Sequence, residues 1–144
     1  MFSKSCQYAI QSILYIALHS DNGRTVGLKA IAESQNIPLH FLSKILQNLV
    51  KHKVLLSIKG PNGGFALNQS PKKLKLIKIV EIVDGLDIFD VCGIGLKSCS
   101  DSKPCPIHFE YKVVKAKTRE LLSTKSLEEL CEDVRNGESI VTFN

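Results

Sequence analysis

The chain has 144 residues, with 19 Lys and Arg against 14 Asp and Glu, five cysteines and no tryptophan. That length suits one domain, or two tightly joined subdomains, with a core large enough to need no disulfide staples. No apolar stretch approaches the roughly 20 residues of a membrane-crossing helix, and no charged segment followed by an apolar run opens the chain. The expectation is a cytoplasmic protein without membrane contact, in which clustered thiols signify metal or redox chemistry.

The net charge of +5 is unevenly divided. Residues 1–79 carry 11 Lys and Arg against 2 acids, Asp21 and Glu33, whereas residues 80–144 carry 8 against 12. A basic half favours a polyanion such as nucleic acid, although scattered lysines also serve solubility.

In "SKSCQYAIQSILYIALHS", Ala9, Ile13 and Ile16, flanked by Ile10, Leu14 and Ala17, predict a buried first helix. "SDNGRT" supplies a turn, and "VGLKAIAES" a shorter helix with Leu28, Ile31 and Ala32 on one side. "QNI" interrupts it. A third helix is expected from Pro38, which suits a first helical turn, with Leu42, Ile45, Leu46, Leu49 and Val50 facing the core. Its opposite stripe collects His40, Ser43, Lys44, Gln47 and Lys51 without a carboxylate. Such a face fits a major groove, but a merely solvated face would also be polar.

A short helix, a tight turn and a longer helix make a helix-turn-helix. "VLLSIKGPNGGFALN" follows, with strands expected at Val54–Lys59 and Phe65–Asn68 and a glycine-rich tip between them. A hairpin in that place reads as a wing, with Lys59 at its base supplying charge. Leu76, Ile79, Val80 and Val83 then mark a fourth helix ending near Gly85. Phe109, Val113 and Ala116 mark a long amphipathic helix, suited to a dimer interface or to packing on its own core. Ser126 and Glu129 stand at capping-box spacing before a short last helix. Cys6 and Cys131 lie in helical patterns and are expected to be buried.

Between the fourth and fifth helices, "DVCGIGLKSCSDSKPCPIHFEYK" holds Cys92, Cys99, Cys105 and His108. Structural zinc sites pair cysteines in close knuckles, which this spacing lacks. Three thiolates and an imidazole on a mobile loop can instead hold an iron-sulfur cluster, or the thiols can act as a bare redox sensor. No phosphate loop and no H-E-x-x-H motif is present. A nucleophilic Cys105–His108 pair is the remaining catalytic reading, and no enzyme activity is expected.

"SKSCQYAI", "LKAIAESQNIPLHFLSKILQNLVKHKVLLSIKGPNGGFAL", "IVEIVDG", the three-cysteine loop and "SLEEL" together resemble the bacterial Rrf-type winged-helix regulators over nearly the whole chain. The resemblance implies a mainly α fold with a small β-hairpin wing: a winged helix-turn-helix domain at 1–85, a cysteine-rich cluster loop at 86–107, and a dimerisation helix with a C-terminal helix at 108–144. It also implies a homodimer on a double-stranded, pseudo-palindromic DNA operator, with no small-molecule substrate. Candidate DNA contacts are Leu28, Pro38, His40, Phe41, Ser43, Lys44, Gln47 and Lys51, with Lys59, Pro61, Asn62 and Gly63 on the wing.

Carried over by position, Cys92, Cys99 and Cys105 are thiolate ligands. His108, as in the IscR branch, is the fourth ligand of a 2Fe-2S cluster, with 4Fe-4S as the other nuclearity. In the NsrR branch an acid of the partner's first helix can take that role; Gln7 stands there and is a poor ligand. The first cysteine spacing is one residue longer than the commonest IscR pattern. His40, Ser43 and Lys59 also differ from IscR, so operator sequence does not transfer. The implied function is a cluster-controlled transcription regulator, such as a repressor, sensing iron-sulfur status or oxidative or nitrosative stress. The alternatives are a cluster-free thiol regulator of the CymR branch and a small iron-sulfur redox protein.

Overall fold

The computed structural model describes residues 1–20 and 23–143. Asp21 and Asn22 of the turn expected at "SDNGRT" lie outside them. Helix α1, Lys4–His19, is capped by Ser3, whose Oγ accepts from the Cys6 N–H at 3.0 Å. Its Ala9, Ile13 and Ile16 are fully buried, as the periodicity predicts.

α2, Leu28–Gln35, and α3, Leu39–Lys51, are joined by a turn three residues long. Asn36 adopts the left-handed conformation (φ 51°, ψ 45°), and its N–H donates to the carbonyls of Ala32 and Glu33, which stops α2. Ile37, 4% exposed, anchors the turn in the core. Pro38 is not in the first helical turn as expected but one residue earlier, at the N-cap with ψ 129°; its carbonyl accepts from the Phe41 and Leu42 N–H groups. The chain must still be turning at that residue, so its ψ stays extended. Leu42, Ile45, Leu46 and Leu49 are buried, and Val50 packs half-buried against them.

Strands β1, Leu55–Ile58, and β2, Gly64–Leu67, form an antiparallel hairpin in the register Leu55↔Leu67 to Ile58↔Gly64. The Asn68 N–H donates to the Val54 carbonyl, extending the pairing almost over the expected spans. One partner was not expected: Val26 exchanges both backbone hydrogen bonds with Phe65, at 2.8 Å each, so the hairpin is laced to the segment entering α2. Gly64 permits that approach, because a Cβ there would lie 2.5 Å from the Val26 carbonyl oxygen.

α4, Leu76–Val83, ends where Gly85 turns at φ 79° and its N–H returns to the Val80 carbonyl. A short 3₁₀ turn, Leu86–Phe89, leads into the cysteine loop, which ends at α5, His108–Thr124. α6, Leu127–Arg135, starts with the complete Ser126–Glu129 capping box. It folds back on α1, so Leu127 and Cys131 join the core built by α1 to α3. A second cluster, Cys6, Val80, Phe89 and Leu122, ties α1, α4 and α5 together beside the cysteine loop.

Candidate functional site

Two surfaces gather the residues singled out in the sequence. On the first, burial of Leu42, Ile45, Leu46 and Leu49 fixes the rotation of α3 and turns its polar stripe outward. His40, Lys44, Gln47 and Lys51 are exposed and Ser43 is half-buried. Phe41 is half-buried, edge-on to the Tyr8 ring with centroids 6.0 Å apart. Leu28, the first residue of α2, packs half-buried on the core, and Pro38 is exposed.

Lys59, Pro61 and Asn62 are exposed at the hairpin tip. Gly63 stands so close to the Ile58 carbonyl oxygen that a Cβ there would collide with it. The tip is held from outside the hairpin: Thr25 Oγ donates to the Asn62 carbonyl at 2.9 Å. A cleft of about 530 Å³ between Gly23–Thr25 and the tip is bordered by the exposed Arg24. Nothing in the sequence marks Arg24 and Thr25, since a turn sequence does not reveal which distant loop it will touch.

The second surface is the cysteine loop. The Sγ atoms of Cys92, Cys99 and Cys105 lie within 4.8 Å of one another, and among the five cysteines there is no disulfide. Cys92 and Cys105 are 3.6 Å apart, and Cys99 Sγ is 3.0 Å from His108 Nδ1. The three thiols and the His108 imidazole thus form one compact group of donors. His108 Nε2 lies 2.8 Å from Asp101 Oδ1, and Lys112 Nζ donates to Asp101 Oδ1 at 2.9 Å and Oδ2 at 2.7 Å. Asp101 was missed by sequence reasoning; its position between Cys99 and Cys105 matches no ligand spacing, and its contact depends on the loop's turn.

The electrostatics favour thiolate at one end of the loop. The backbone N–H groups of Ile94 and Leu96 point at Cys92 and bring it down to about 7, assisted by the Cys105 and Cys99 thiols. At Cys99 the largest influence, the Cys105 backbone N–H, acts downward, but desolvation and the adjoining thiols of Cys105 and Cys92 outweigh it and raise the group. Cys6, outside the loop, is pushed up to about 12 by burial and then by Asp84, which marks it as an inert core thiol.

The loop lies along one face of α5. A Cβ on Gly93 would come within 2.7 Å of Tyr111 Cδ1, Lys115 Nζ donates to the Val91 carbonyl at 2.8 Å, and the Arg119 guanidinium sits 5.9 Å from the Phe89 ring centre. Away from that face, Phe109, Val113, Val114 and Leu121 are each about half exposed or more, at 57, 55, 49 and 54%.

A helix-turn-helix with a laced hairpin, joined through a thiol-lined loop to a long helix, defines the class: a winged-helix transcription regulator. The chain belongs to the Rrf2 family of iron-dependent transcriptional regulators, whose sequence profile matches residues 2–133. It is 30% identical over 124 residues to the HTH-type transcriptional regulator IscR of Sodalis glossinidius, an alignment covering 86% of this chain and 74% of the relative. Two solved structures share the fold. CymR, the global cysteine regulator of B. subtilis, has a TM-score of 0.76 at 22% identity, covering 92% of this chain and 96% of that one. The IscR of T. potens has a TM-score of 0.73 at 21% identity, covering 98% and 93%. The family's activity is DNA-binding regulation of transcription, not enzymatic turnover. Among the described residues no helix is long and apolar enough to cross a membrane.

Proposed function

We propose that the protein is a cytoplasmic homodimer whose binding to an operator is controlled by an iron-sulfur cluster on Cys92, Cys99, Cys105 and His108, with 2Fe-2S favoured over 4Fe-4S. The observation that carries this reading is the convergence of the Cys92, Cys99 and Cys105 Sγ atoms to within 4.8 Å of one another, with His108 Nδ1 3.0 Å from Cys99 Sγ. Two thiolates on one tetrahedral metal, each at roughly 2.3 Å, stand about 3.8 Å apart. The 3.6 Å between Cys92 and Cys105 suits that arrangement. The N–H groups directed at Cys92 are of the kind that stabilise cluster sulfurs. When bound, such a cluster supplies a centre that oxidants, nitric oxide or iron shortage can remove.

The protein's own part is to couple the loop to the DNA-reading surface. Tyr111, Lys115 and Arg119 tie the loop to α5, while Phe89 joins Cys6 and Val80 in the apolar cluster that reaches α1 and α4. In this reading residues 1–85 form the DNA module, 86–107 the cluster loop and 108–144 the dimerisation segment. α3 enters the major groove through His40, Ser43, Lys44, Gln47 and Lys51, with Leu28, Pro38 and Phe41 at its rim. Lys59, Pro61, Asn62 and Gly63 reach the adjacent minor groove. A cluster-free thiol regulator is the second reading, favoured by one observation: Cys92 is brought near neutrality 3.6 Å from Cys105.

Protein purified without oxygen decides between them by iron, acid-labile sulfide and visible absorption. Two irons and two sulfides per chain, with a spectrum altered in His108→Ala, are expected. Colourless, iron-free protein after reconstitution would favour the thiol regulator, and one zinc without sulfide would mean a single-metal site.

A further inference from the structure

His108 must offer its lone pair at one particular nitrogen if it is to join Cys99 as a ligand. A neutral imidazole has one N–H and one lone pair, and the partner of the N–H decides which nitrogen is left to bind. Nδ1 faces Cys99 Sγ at 3.0 Å, and Nε2 faces Asp101 Oδ1 at 2.8 Å. An ionised carboxylate only accepts, so the proton belongs on Nε2 and the lone pair on Nδ1.

The carboxylate is itself placed from two sides. Ser100 and Lys103 exchange backbone hydrogen bonds at 3.2 and 3.0 Å, closing a tight turn with Asp101 and Ser102 at its apex. Lys112, one turn after His108 on α5, grips both oxygens of Asp101. An ion pair as exposed as Asp101–Lys112, at 66 and 57% for the two side chains, adds little to stability. The imidazole between them and the thiols is far less accessible, at 16%.

We infer that Asp101, clamped by Lys112, is a positioning residue for the metal centre: it fixes the Nε2–H tautomer of His108 so that Nδ1 becomes the ligating atom. Carboxylate–histidine–metal relays of this kind orient the ring and raise its basicity as a ligand. The inference rests on the reading of the loop as a cluster site, and it assigns a role to a residue outside the ligand set.

Two measurements on wild type, Asp101→Ala and Lys112→Met test it. In metal-free protein with neutral imidazoles, nitrogen-15 NMR of the His108 ring is expected to show the Nε2–H tautomer in wild type and a mixture in Asp101→Ala. Equal tautomer populations in the two would overturn the inference. In anaerobically reconstituted protein, Asp101→Ala is expected to lose iron to a chelator about 10–100-fold faster, with Lys112→Met changed in the same direction but less. The dithionite-reduced cluster of Asp101→Ala should also show altered nitrogen hyperfine coupling. Unchanged loss rate and coupling would reduce Asp101 to a surface ion-pair partner. Wild type that takes up no iron or sulfide would sink the cluster reading itself, and with it this role; a persisting tautomer difference would identify which of the two had failed.

Discussion

Ser126 and Glu129 satisfy one another's backbone at the start of α6: the Ser126 N–H donates to Glu129 Oε2 at 2.7 Å, and the Glu129 N–H to Ser126 Oγ at 3.2 Å. Replacing Ser126 by Ala removes one cap and leaves a helix-end donor unpaired, so denaturant unfolding should show a loss of about 1 kcal/mol. The Glu129 carboxyl lies below the ordinary value of 4.5, first because of the Ser126 backbone N–H and then its hydroxyl. A carboxylate depressed by folding stabilises the folded state above its unfolded value, and that stabilisation is lost as pH falls through the depressed value. The stability gap between wild type and Glu129→Gln should therefore be present at neutral pH and close in acid, as denaturation curves across that range would reveal. These two residues were readable in the sequence because a capping box is a local device. Asp101 was not, because the atom it touches depends on how the loop folds.

The hairpin and the segment entering α2 behave as one unit, bound together through Val26, Phe65 and Thr25. The double change Lys44→Ala and Gln47→Ala removes a cation and an amide from the exposed stripe while leaving Leu42, Ile45 and Leu46 buried beneath it. Loss of one good base contact is worth about 1–3 kcal/mol of discrimination, so specific operator binding should collapse towards the non-specific level while far-ultraviolet dichroism stays unchanged. Specific binding that survives would mean another face reads the DNA. Lys59→Ala has a different signature: if Lys59 meets a phosphate, the slope of log affinity against log salt becomes shallower by about 1. Gly64→Ala acts on folding rather than on contacts, since its Cβ would meet the Val26 carbonyl at 2.5 Å. Unlacing the hairpin should cost on the order of 1–3 kcal/mol, measurable by thermal unfolding.

At the scale of the molecule, α5 buries one face and leaves the rest uncovered. Leu122 and the half-buried Tyr111, Lys115 and Thr118 face inward, while Phe109, Val113, Val114 and Leu121 stand exposed. That pattern supports the proposed homodimer, and Phe109→Glu with Val113→Glu should convert it to a 15.9 kDa monomer in sedimentation without loss of helix content. A double variant that stays dimeric would place the interface elsewhere. By itself the sequence determined the elements: periods of 3.6 and 2, a capping box and a glycine-rich tip are written in neighbouring residues, and they sufficed for the helix-turn-helix, the wing and the gathering of cysteines in one loop. Only the tertiary structure decided the Val26–Phe65 lacing, the return of α6 to α1, the laying of the loop on Tyr111 and Lys115, and the Cys99–His108–Asp101–Lys112 chain. Those features depend on backbone groups and side-chain directions brought together across long separations. A backbone N–H or carbonyl has no residue-type signature, and a loop carboxylate finds its partner only after the helices beside it have packed.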